Sequence, residues 1–198
     1  MPRVAVFIDY QNLYMQARRS FGALPAAGVV GQVDPSKLGR LLASRIGSGA
    51  ALDQIRVYRG LPDATRDPRG NTASRAQNDA WRRRDPRVRV LTRPLRYPRG
   101  YPRSRPLEKG VDVLLAVDFV QLAAQGRYDI GVLVSQDTDL IPALEAVAGL
   151  GGPQCQVAAW AAAGSPRRLR VPGVPVWCHY LSSIDYAAVA DPRDYTRP

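Results

Sequence analysis

The sequence predicts an α/β fold, a three-layer α/β/α sandwich around a mostly parallel central sheet. Short runs of strand length alternate along the chain with longer segments of helical character, which is the order that βαβ units produce. The runs at 4–8 and 130–134 contain no polar side chain, as is typical of strands buried on both faces of a parallel sheet. A length of 198 residues with 45% apolar side chains is enough for one domain with a full core. We expect this domain to span 1–190 and a polar segment, 191–198, to form a flexible tail.

The first half of the chain contains three predicted strands and three predicted helices. The strands are placed at 4–8, 54–61 and 88–92, and the helices at 12–20, 35–46 and 71–84. The Asp34-Pro35 pair indicates a helix start, because Asp caps a first turn and Pro is tolerated within it. Gly47 ends that helix, and apolar residues at helical spacing that end on Trp81 define the third one. Residues 21–34, rich in Gly, Ala and Val, are predicted to form a loop.

The second half begins with a basic loop at 94–106, where four prolines and a glycine exclude a helix or a central strand. The helix at 109–125 is apolar almost all round and is therefore predicted to be buried. The remaining elements are strands at 130–134, 156–160 and 174–178 and a helix at 140–148. A second basic loop at 164–173 carries Arg167, Arg168 and Arg170.

The net positive charge of the chain is confined to its centre. The formal net charge is +11, and residues 54–106 alone carry 15 arginines against four acids, so that the rest of the chain is neutral. Such a block indicates a polyanionic partner, although a solvated, solubilising surface is the alternative. Arginine binds phosphates and stacks on bases, and Tyr97 and Tyr101 can stack on unpaired bases. The candidate RNA-binding residues are Arg82, Arg83, Arg96, Arg99, Arg103, Arg105 and the scarce lysine Lys109.

Scarce residue types exclude several classes of site. The two cysteines, Cys155 and Cys178, cannot form a zinc ribbon or a disulfide scaffold, and the single His179 excludes sites built from several histidines. No apolar run approaches the roughly 20 residues of a membrane-spanning helix, and no membrane association is expected. The chain starts directly with a strand-like run and shows no secretory signal, so a cytoplasmic location is expected.

Carboxylates follow two predicted strands at the point where each strand ends. Asp9 follows the first strand, and Asp137 and Asp139 follow the strand at 130–134. In α/β sheets, sites form at the carboxyl ends of the strands, so these acids are expected to converge. Capping of the next helix is the alternative role for each, and it is the favoured one for Asp9 alone. Two acids at one strand end, however, repel each other unless cations neutralise them, which favours function for Asp137 and Asp139.

The helix at 109–125 carries two further acids. Asp112 lies in its first turn, where an acid complements the helix dipole, but this turn should lie at the same rim of the sheet. Asp118 lies about 120° round the helix and nearly two turns deeper, within an apolar row, so a structural role with a buried partner is favoured. Together, Asp9, Asp112, Asp137 and Asp139 form a candidate site for Mg²⁺ or Mn²⁺, whose chemistry suits phosphodiester hydrolysis without a histidine.

Three segments match the pattern of one family. They are Phe7-Ile8-Asp9-Tyr10-Gln11-Asn12-Leu13, Lys109-Gly110-Val111-Asp112-Val113 and Ser135-Gln136-Asp137-Thr138-Asp139-Leu140. Over about residues 3–160 the chain resembles the NYN domains of the PIN-like nuclease superfamily. The resemblance implies a PIN-like α/β/α fold and metal-dependent RNase activity, with Asp9, Asp112, Asp137 and Asp139 as the acidic site and Asn12 supporting it. Gln136 and Leu140 depart from the family, where a small and an aromatic residue are common, and these departures concern substrate fit more than metal binding.

Other functions are weighed against the same residues. A haloacid-dehalogenase-type phosphatase would want an acid at Gln11, and a dinucleotide site would want a glycine-rich turn after the first strand. A Ser or Cys hydrolase would need a histidine base, but Cys178 and His179 are neighbours and point to opposite faces of a strand. Two alternatives to an active ribonuclease remain, a catalytically inactive RNA-binding module and a toxin-type RNase paired with an antitoxin. Homodimerisation and a regulatory protein partner are left open.

Overall fold

The computed structural model of the protein describes residues 1–22, 29–161 and 168–197. Its centre is a six-stranded sheet in the order β3-β2-β1-β4-β5-β6, with every neighbouring pair parallel. The strands are β1 (Arg3–Asp9), β2 (Ala51–Leu61), β3 (Val88–Pro94), β4 (Ile130–Val134), β5 (Gln154–Trp160) and β6 (Trp177–Leu181). The helices are α1 (Tyr10–Phe21), α2 (Pro35–Ile46), α3 (Pro68–Arg84), α4 (Val111–Ala124), α5 (Ile141–Gly149) and α6 (Ser183–Val189). The predicted fold class is confirmed.

Side chains that alternate along β1 build the two halves of the core. Val6 and Ile8 point into the layer that contains α1, α2 and α3, where they join a cluster with Trp81. Phe7 points to the opposite face and meets Phe119 of α4 edge to face, with ring centroids 5.0 Å apart. Both faces of the sheet are therefore covered by helices, which explains why β1 and β4 have no polar face.

The end of the chain differs from the prediction in two elements. The predicted strand at 174–178 is wrong in its bounds, because β6 begins at Trp177 and Val174 instead pairs with Val171 in an isolated bridge. Pro175 has no N–H to donate to a sheet ladder, which accounts for the later start. The sequence prediction also omitted α6, whose start is stabilised by reciprocal bonds between Ser182 and Asp185.

Helix α4 is only half buried, so the prediction that it is buried all round is wrong. Its inner face packs Leu115 and Phe119 onto the sheet, whereas Val113 is 66% exposed and Val117 is 53% exposed. An outer helix of a three-layer fold has no layer beyond it, so its second face meets solvent whatever its composition. Among the described residues, every helix is too short or too polar to span a lipid bilayer.

The segment from Asp191 onward contacts the domain through its side chains. Asp191 is buried and accepts hydrogen bonds from Trp81 Nε1 (3.1 Å) and from the Tyr195 hydroxyl (2.8 Å). The flexibility expected of 191–198 stays a prediction, but these contacts show where the segment lies. Arg167 of the predicted second basic loop and part of the predicted loop at 21–34 fall outside the described residues.

Candidate metal centre

Three of the predicted acids come together at the carboxyl edge of the sheet. Asp9 ends β1 and Asp137 follows β4, and these two strands are parallel neighbours, so their ends lie side by side. Asp112 reaches the same edge because α4 begins there before it returns the chain to the start of β4. Each of the three offers a carboxylate oxygen, and these oxygens lie within 4.8 Å of one another. We call Asp9, Asp112 and Asp137 the carboxylate cluster.

Asp9 caps a helix and belongs to the cluster at the same time. It is 3% exposed, and one of its oxygens accepts the backbone N–H of Asn12 at 3.1 Å, which caps α1. Its other oxygen accepts the hydroxyl of Ser135 at 3.0 Å. The capping and functional roles weighed for Asp9 are therefore compatible, since capping fixes the direction of its carboxylate.

Two neutral side chains connect the strand ends. Ser135 Oγ, which donates to Asp9, also accepts the backbone N–H of Asp137 at 3.1 Å and so links two members of the cluster. Asn12 Oδ1 accepts the backbone N–H of Gln136 at 3.1 Å and joins α1 to the segment after β4. Asn12 thus helps to position the segment that carries Asp137, and its supporting role in catalysis stays a prediction. Ser135 belonged to the motif, but sequence reasoning assigned it no role.

The cluster holds more negative charge than its surroundings neutralise. Burial raises the pKa of Asp9 to about 7, and the charges of Asp112 and Glu108 add to the rise against two hydrogen bonds that oppose it. Burial likewise raises the pKa of Asp112, with further contributions from Asp137 and Asp139. A group of hard oxygen donors in this condition matches the ligands that Mg²⁺ and Mn²⁺ prefer. The residues therefore fit a divalent cation.

Two predicted acids lie outside the cluster. Asp139 is exposed on the 3₁₀ turn before α5, and it acts on the cluster through its charge near Asp112. Asp118 forms an ion pair with Arg56, with 2.5 Å between Oδ2 and Nη2, and accepts the Tyr58 hydroxyl at 2.8 Å. Both side chains of the ion pair are largely buried, so Asp118 has the structural role that its position favoured.

Glu108 is an acid that sequence reasoning did not select. Its carboxylate accepts the backbone N–H of Gly60 at the end of β2, and burial raises its pKa, with Asp112 contributing. Its charge in turn contributes to the raised pKa of Asp9. The available signal was its position four residues before Asp112, at the end of the proline-rich loop.

The predicted RNA-binding residues divide into two groups. The residues of the first group follow β3, are exposed and lie on or next to the loop that leaves the carboxyl edge of the sheet. Backbone hydrogen bonds between Arg96 and Leu107 join the two ends of this loop. Members of this group are Arg96, Arg99, Arg103, Arg105 and Lys109. Helix α3 returns the chain from this edge to the start of β3, so Arg82 and Arg83 in its last turn lie toward the opposite edge. Arg82 is also paired with Asp79 at 3.2 Å.

The aromatic residues of the loop serve its own structure. Tyr97 and Tyr101 meet edge to face, with centroids 4.8 Å apart. The Tyr97 hydroxyl accepts the backbone N–H of Asp63, and the Tyr101 hydroxyl donates to the backbone oxygen of Arg66. These contacts attach the loop to the start of α3, where the exposed Arg66 and Arg69 add charge that sequence reasoning did not assign to RNA. Arg66 and Arg69 follow the carboxyl end of β2, so they lie at the same edge of the sheet as the loop.

The free energy of unfolding of the metal-free protein should fall as pH rises from about 4 to about 7. Within this window the folded state retains the proton of Asp9 that the unfolded state loses, so rising pH favours unfolding; above the window the contribution is constant. A shift of this size is worth at most on the order of 4 kcal/mol. Melting curves in EDTA should show a weaker pH dependence for Asp9→Asn than for the wild type, whereas Asp53→Asn, at an exposed acid, should match the wild type. Parallel curves for wild type and Asp9→Asn would contradict the electrostatic description.

Comparison with known proteins finds a family whose model matches most of the chain. Residues 3–170 match the model of the family described as NYN domain. No curated protein matches the chain in sequence. The chain is similar to a solved structure of VPA0982, a protein of unknown function from Vibrio parahaemolyticus, with a TM-score of 0.54 and 17% identity over 79% of this chain and 80% of that one. This similarity concerns the fold alone.

A second solved structure is less similar. It is UGT73P12 from Glycyrrhiza uralensis complexed with glycyrrhetinic acid 3-O-monoglucuronide, with a TM-score of 0.38 and 13% identity over 82% of this chain and 29% of that one. A TM-score this low does not establish a shared fold.

Proposed function

Because the chain belongs to the NYN domain family, we propose that it is a metal-dependent endoribonuclease that hydrolyses phosphodiester bonds in single-stranded or loop regions of RNA. The observation that carries the proposal is the convergence of Asp9, Asp112 and Asp137 at one sheet edge. Three carboxylates placed together without a neutralising cation are costly to the fold, and a divalent ion removes that cost. The proposed cofactor is Mg²⁺ or Mn²⁺.

The residues around the proposed centre have different roles in it. The carboxylate cluster would hold the cation, while Ser135 and Asn12 keep the two strand ends in register. When bound, the ion would supply positive charge at the phosphoryl group, promote ionisation of the attacking water and stabilise the leaving oxygen. Asp139 faces solvent beside the cluster and adds negative charge that favours cation binding.

RNA would be held by the loop at 94–106 and its neighbours. The loop leaves β3 at the same sheet edge as the cluster, which supports a path in which RNA bound along its arginines would approach the acids. Phosphate contacts of this kind position nucleic acid without reading its sequence. Arg82 and Arg83 would extend the basic strip only for an RNA long enough to continue around α3.

The rival function, a catalytically silent RNA-binding module, belongs to a different class. Such a module would need the basic loop but not the three converged acids, so the carboxylate cluster favours the enzyme. A toxin-type RNase would use the same chemistry and differ only in needing an antitoxin. The cytoplasmic location, homodimerisation and a protein partner remain predictions.

Cleavage of single-stranded RNA by metal-stripped protein tests the proposal. Addition of Mn²⁺ or Mg²⁺ should start cleavage and excess EDTA should stop it, while Asp9→Asn and Asp137→Asn should bind RNA yet fail to cleave it. Metal-independent binding with no cleavage by the wild type would establish the silent module instead. Normal cleavage by both variants would show that the active centre lies elsewhere.

Neutralising the loop should weaken RNA binding and flatten its dependence on salt. The variant Arg99→Gln/Arg103→Gln/Arg105→Gln removes three exposed charges, and each phosphate contact on a single strand contributes about 0.7 to the slope of log affinity against log salt. A decrease of about 2 in that slope is therefore expected, measured by fluorescence anisotropy between low and physiological salt.

Arg127→Gln provides the control for this measurement. Arg127 is exposed on the turn between α4 and β4, at the edge opposite the loop. Its replacement should leave affinity and slope unchanged. Unchanged binding by the triple variant would reduce the loop to a solubilising surface, and an equal loss with Arg127→Gln would indicate attraction by net charge alone.

A further inference from the structure

A cavity of about 410 Å³ shares part of its wall with the surroundings of the carboxylate cluster. Its wall includes Tyr10, which follows Asp9 in the chain, and Glu108, whose charge contributes to the raised pKa of Asp9. The rest of the wall comes mainly from the first turns of α1 and α3, from the end of β2 and from Tyr195 of the terminal segment. The volume lies within the roughly 300–1,000 Å³ typical of small-molecule sites. The cavity is thus a neighbour of the proposed cleavage centre and is not used by its chemistry.

One wall of the cavity presents a guanidinium held in a fixed orientation. Arg59 donates through Nη1 to Gln77 Oε1 at 2.7 Å and to Asn78 Oδ1 at 3.2 Å. Its Cζ lies over the rings of Tyr10 and Trp81, 4.9 and 5.5 Å from their centroids. Among the described residues, no carboxylate oxygen lies within ion-pair distance of Arg59. Amides and aromatic rings therefore orient a cation that no acid neutralises by contact.

An acid on the same wall complements this cation without pairing with it. Glu108 is partly buried and lines the cavity. The charge of Arg59 acts to lower the pKa of Glu108, but the two groups form no ion pair among the described contacts. Its bond to the Gly60 N–H is made through Oε1. The cavity therefore offers a fixed set of donors from Arg59 and an acceptor from Glu108.

A third side chain provides a flat apolar surface. Tyr195 is half-buried at the cavity, and its hydroxyl donates to Asp191, which is itself bound by Trp81. This anchoring fixes the ring through its polar end and directs the rest of the side chain to the cavity wall. Aromatic rings placed in this way are the usual stacking partners of unpaired bases.

We propose that the cavity binds an unpaired guanine base of the RNA, next to the phosphodiester that the carboxylate cluster addresses; this inference rests on the proposed function. Guanine carries the acceptors O6 and N7, which arginine binds with two hydrogen bonds, and the donors N1–H and N2–H₂, which a carboxylate accepts. Adenine has an amine in place of O6 and no N1–H, and the pyrimidines lack N7. Arg59 donates to O6 and N7 of the base, Glu108 accepts from N1–H and N2–H₂, and Tyr195 stacks on the face of the ring.

Binding of the four 3′-mononucleotides to the full chain in EDTA tests this proposal. The four ligands share the phosphate and ribose, so the differences among their affinities, measured by calorimetric titration, report the contribution of the base. Guanosine 3′-monophosphate should bind at least about tenfold more tightly than the other three. Equal affinities, or a preference for another base, would overturn the assignment.

Three variants test the named contacts. Arg59→Lys keeps the charge but loses the planar donor pair, and Tyr195→Ala removes the ring, so each should weaken guanosine 3′-monophosphate binding about tenfold. Tyr195→Phe keeps the ring but loses the hydroxyl bond to Asp191, so its affinity should lie between those of the wild type and Tyr195→Ala. Melting temperatures show whether each variant folds, and because Tyr195 lies on the terminal segment, its variants remain informative if Arg59→Lys does not. Wild-type affinity in folded Arg59→Lys and Tyr195→Ala would overturn the proposal.

Cleavage mapping separates this inference from the proposed function. Cleavage concentrated next to guanines, and lost from those positions in Tyr195→Ala, would support both. Metal-dependent cleavage with no base preference would overturn the guanine pocket and leave the nuclease standing. Selective binding of guanosine 3′-monophosphate by a protein that cleaves no RNA would support the pocket and overturn the nuclease.

Discussion

Replacement of Asp112 by Asn should lower the rate of RNA cleavage by about two orders of magnitude or more at saturating Mn²⁺, while the protein stays folded. The substitution removes one of three charged oxygens that lie within 4.8 Å of one another, and losing an electrostatic contact of this kind typically costs 10²–10³ in rate. Stability should be unchanged or higher, because the charge removed is one whose pKa burial and neighbouring acids already raise.

Single-turnover cleavage under saturating protein measures this effect without interference from product release. Asp139→Asn is the matched control, since Asp139 is exposed and lies outside the cluster, and its effect should be well below that of Asp112→Asn. Equal losses in both variants would mean that the active centre includes the whole turn after β4. Full activity in Asp112→Asn would remove α4 from the centre.

Replacement of Asp118 by Asn should have the opposite profile and reduce the free energy of unfolding by about 3 kcal/mol. Asp118 lies on the same helix as Asp112, yet it is the charged partner of the buried Arg56 and an acceptor for Tyr58. Removal of one member of a buried ion pair leaves an uncompensated charge, which costs about 3–5 kcal/mol, and the partial exposure here favours the lower end.

Chemical and thermal denaturation measure the loss, which corresponds to a decrease of about 10 °C in melting temperature for a chain of this size. Below that temperature, the cleavage rate per folded molecule should stay near the wild-type value. Wild-type stability with lost activity would reverse the assignment of the two acids. The pair Asp112→Asn and Asp118→Asn therefore tests on one helix which carboxylate serves the chemistry and which serves the fold.

The parallel topology explains why much of the centre could be predicted from sequence. Asp9 and Asp137 follow continuous apolar runs, and buried parallel strands end at one edge, so the two acids had to meet once the fold was right. Asp112 could be placed because a helix that connects parallel strands must begin at that edge. The confinement of the net positive charge to 54–106 indicated the basic loop, but residues of this block such as Arg56 and Arg59 point inward, where they contact the core and the cavity.

The remaining features depend on contacts between distant segments. Glu108 reaches the centre through a bond to Gly60, and Tyr195 reaches the cavity through Asp191, and neither contact has a local sequence signal. The exposure of Val113 was missed because the prediction rested on the apolar composition of the helix, whereas exposure depends on its position in an outer layer of the fold. The late start of β6 follows from Pro175, which lacks an N–H for the sheet ladder, whereas the apolar pattern at 174–178 continues past it.

The cleavage rate of metal-stripped protein on single-stranded RNA, measured as Mn²⁺ is titrated in, tests most directly the central claim that the carboxylate cluster holds a catalytic cation. The rate should rise from near zero to saturation, and Asp112→Asn should require much more Mn²⁺ or show no rise, while Asp139→Asn should shift the titration only slightly. Cleavage that persists in EDTA, or a wild type that binds RNA and does not cleave it at any Mn²⁺ concentration, would contradict the claim.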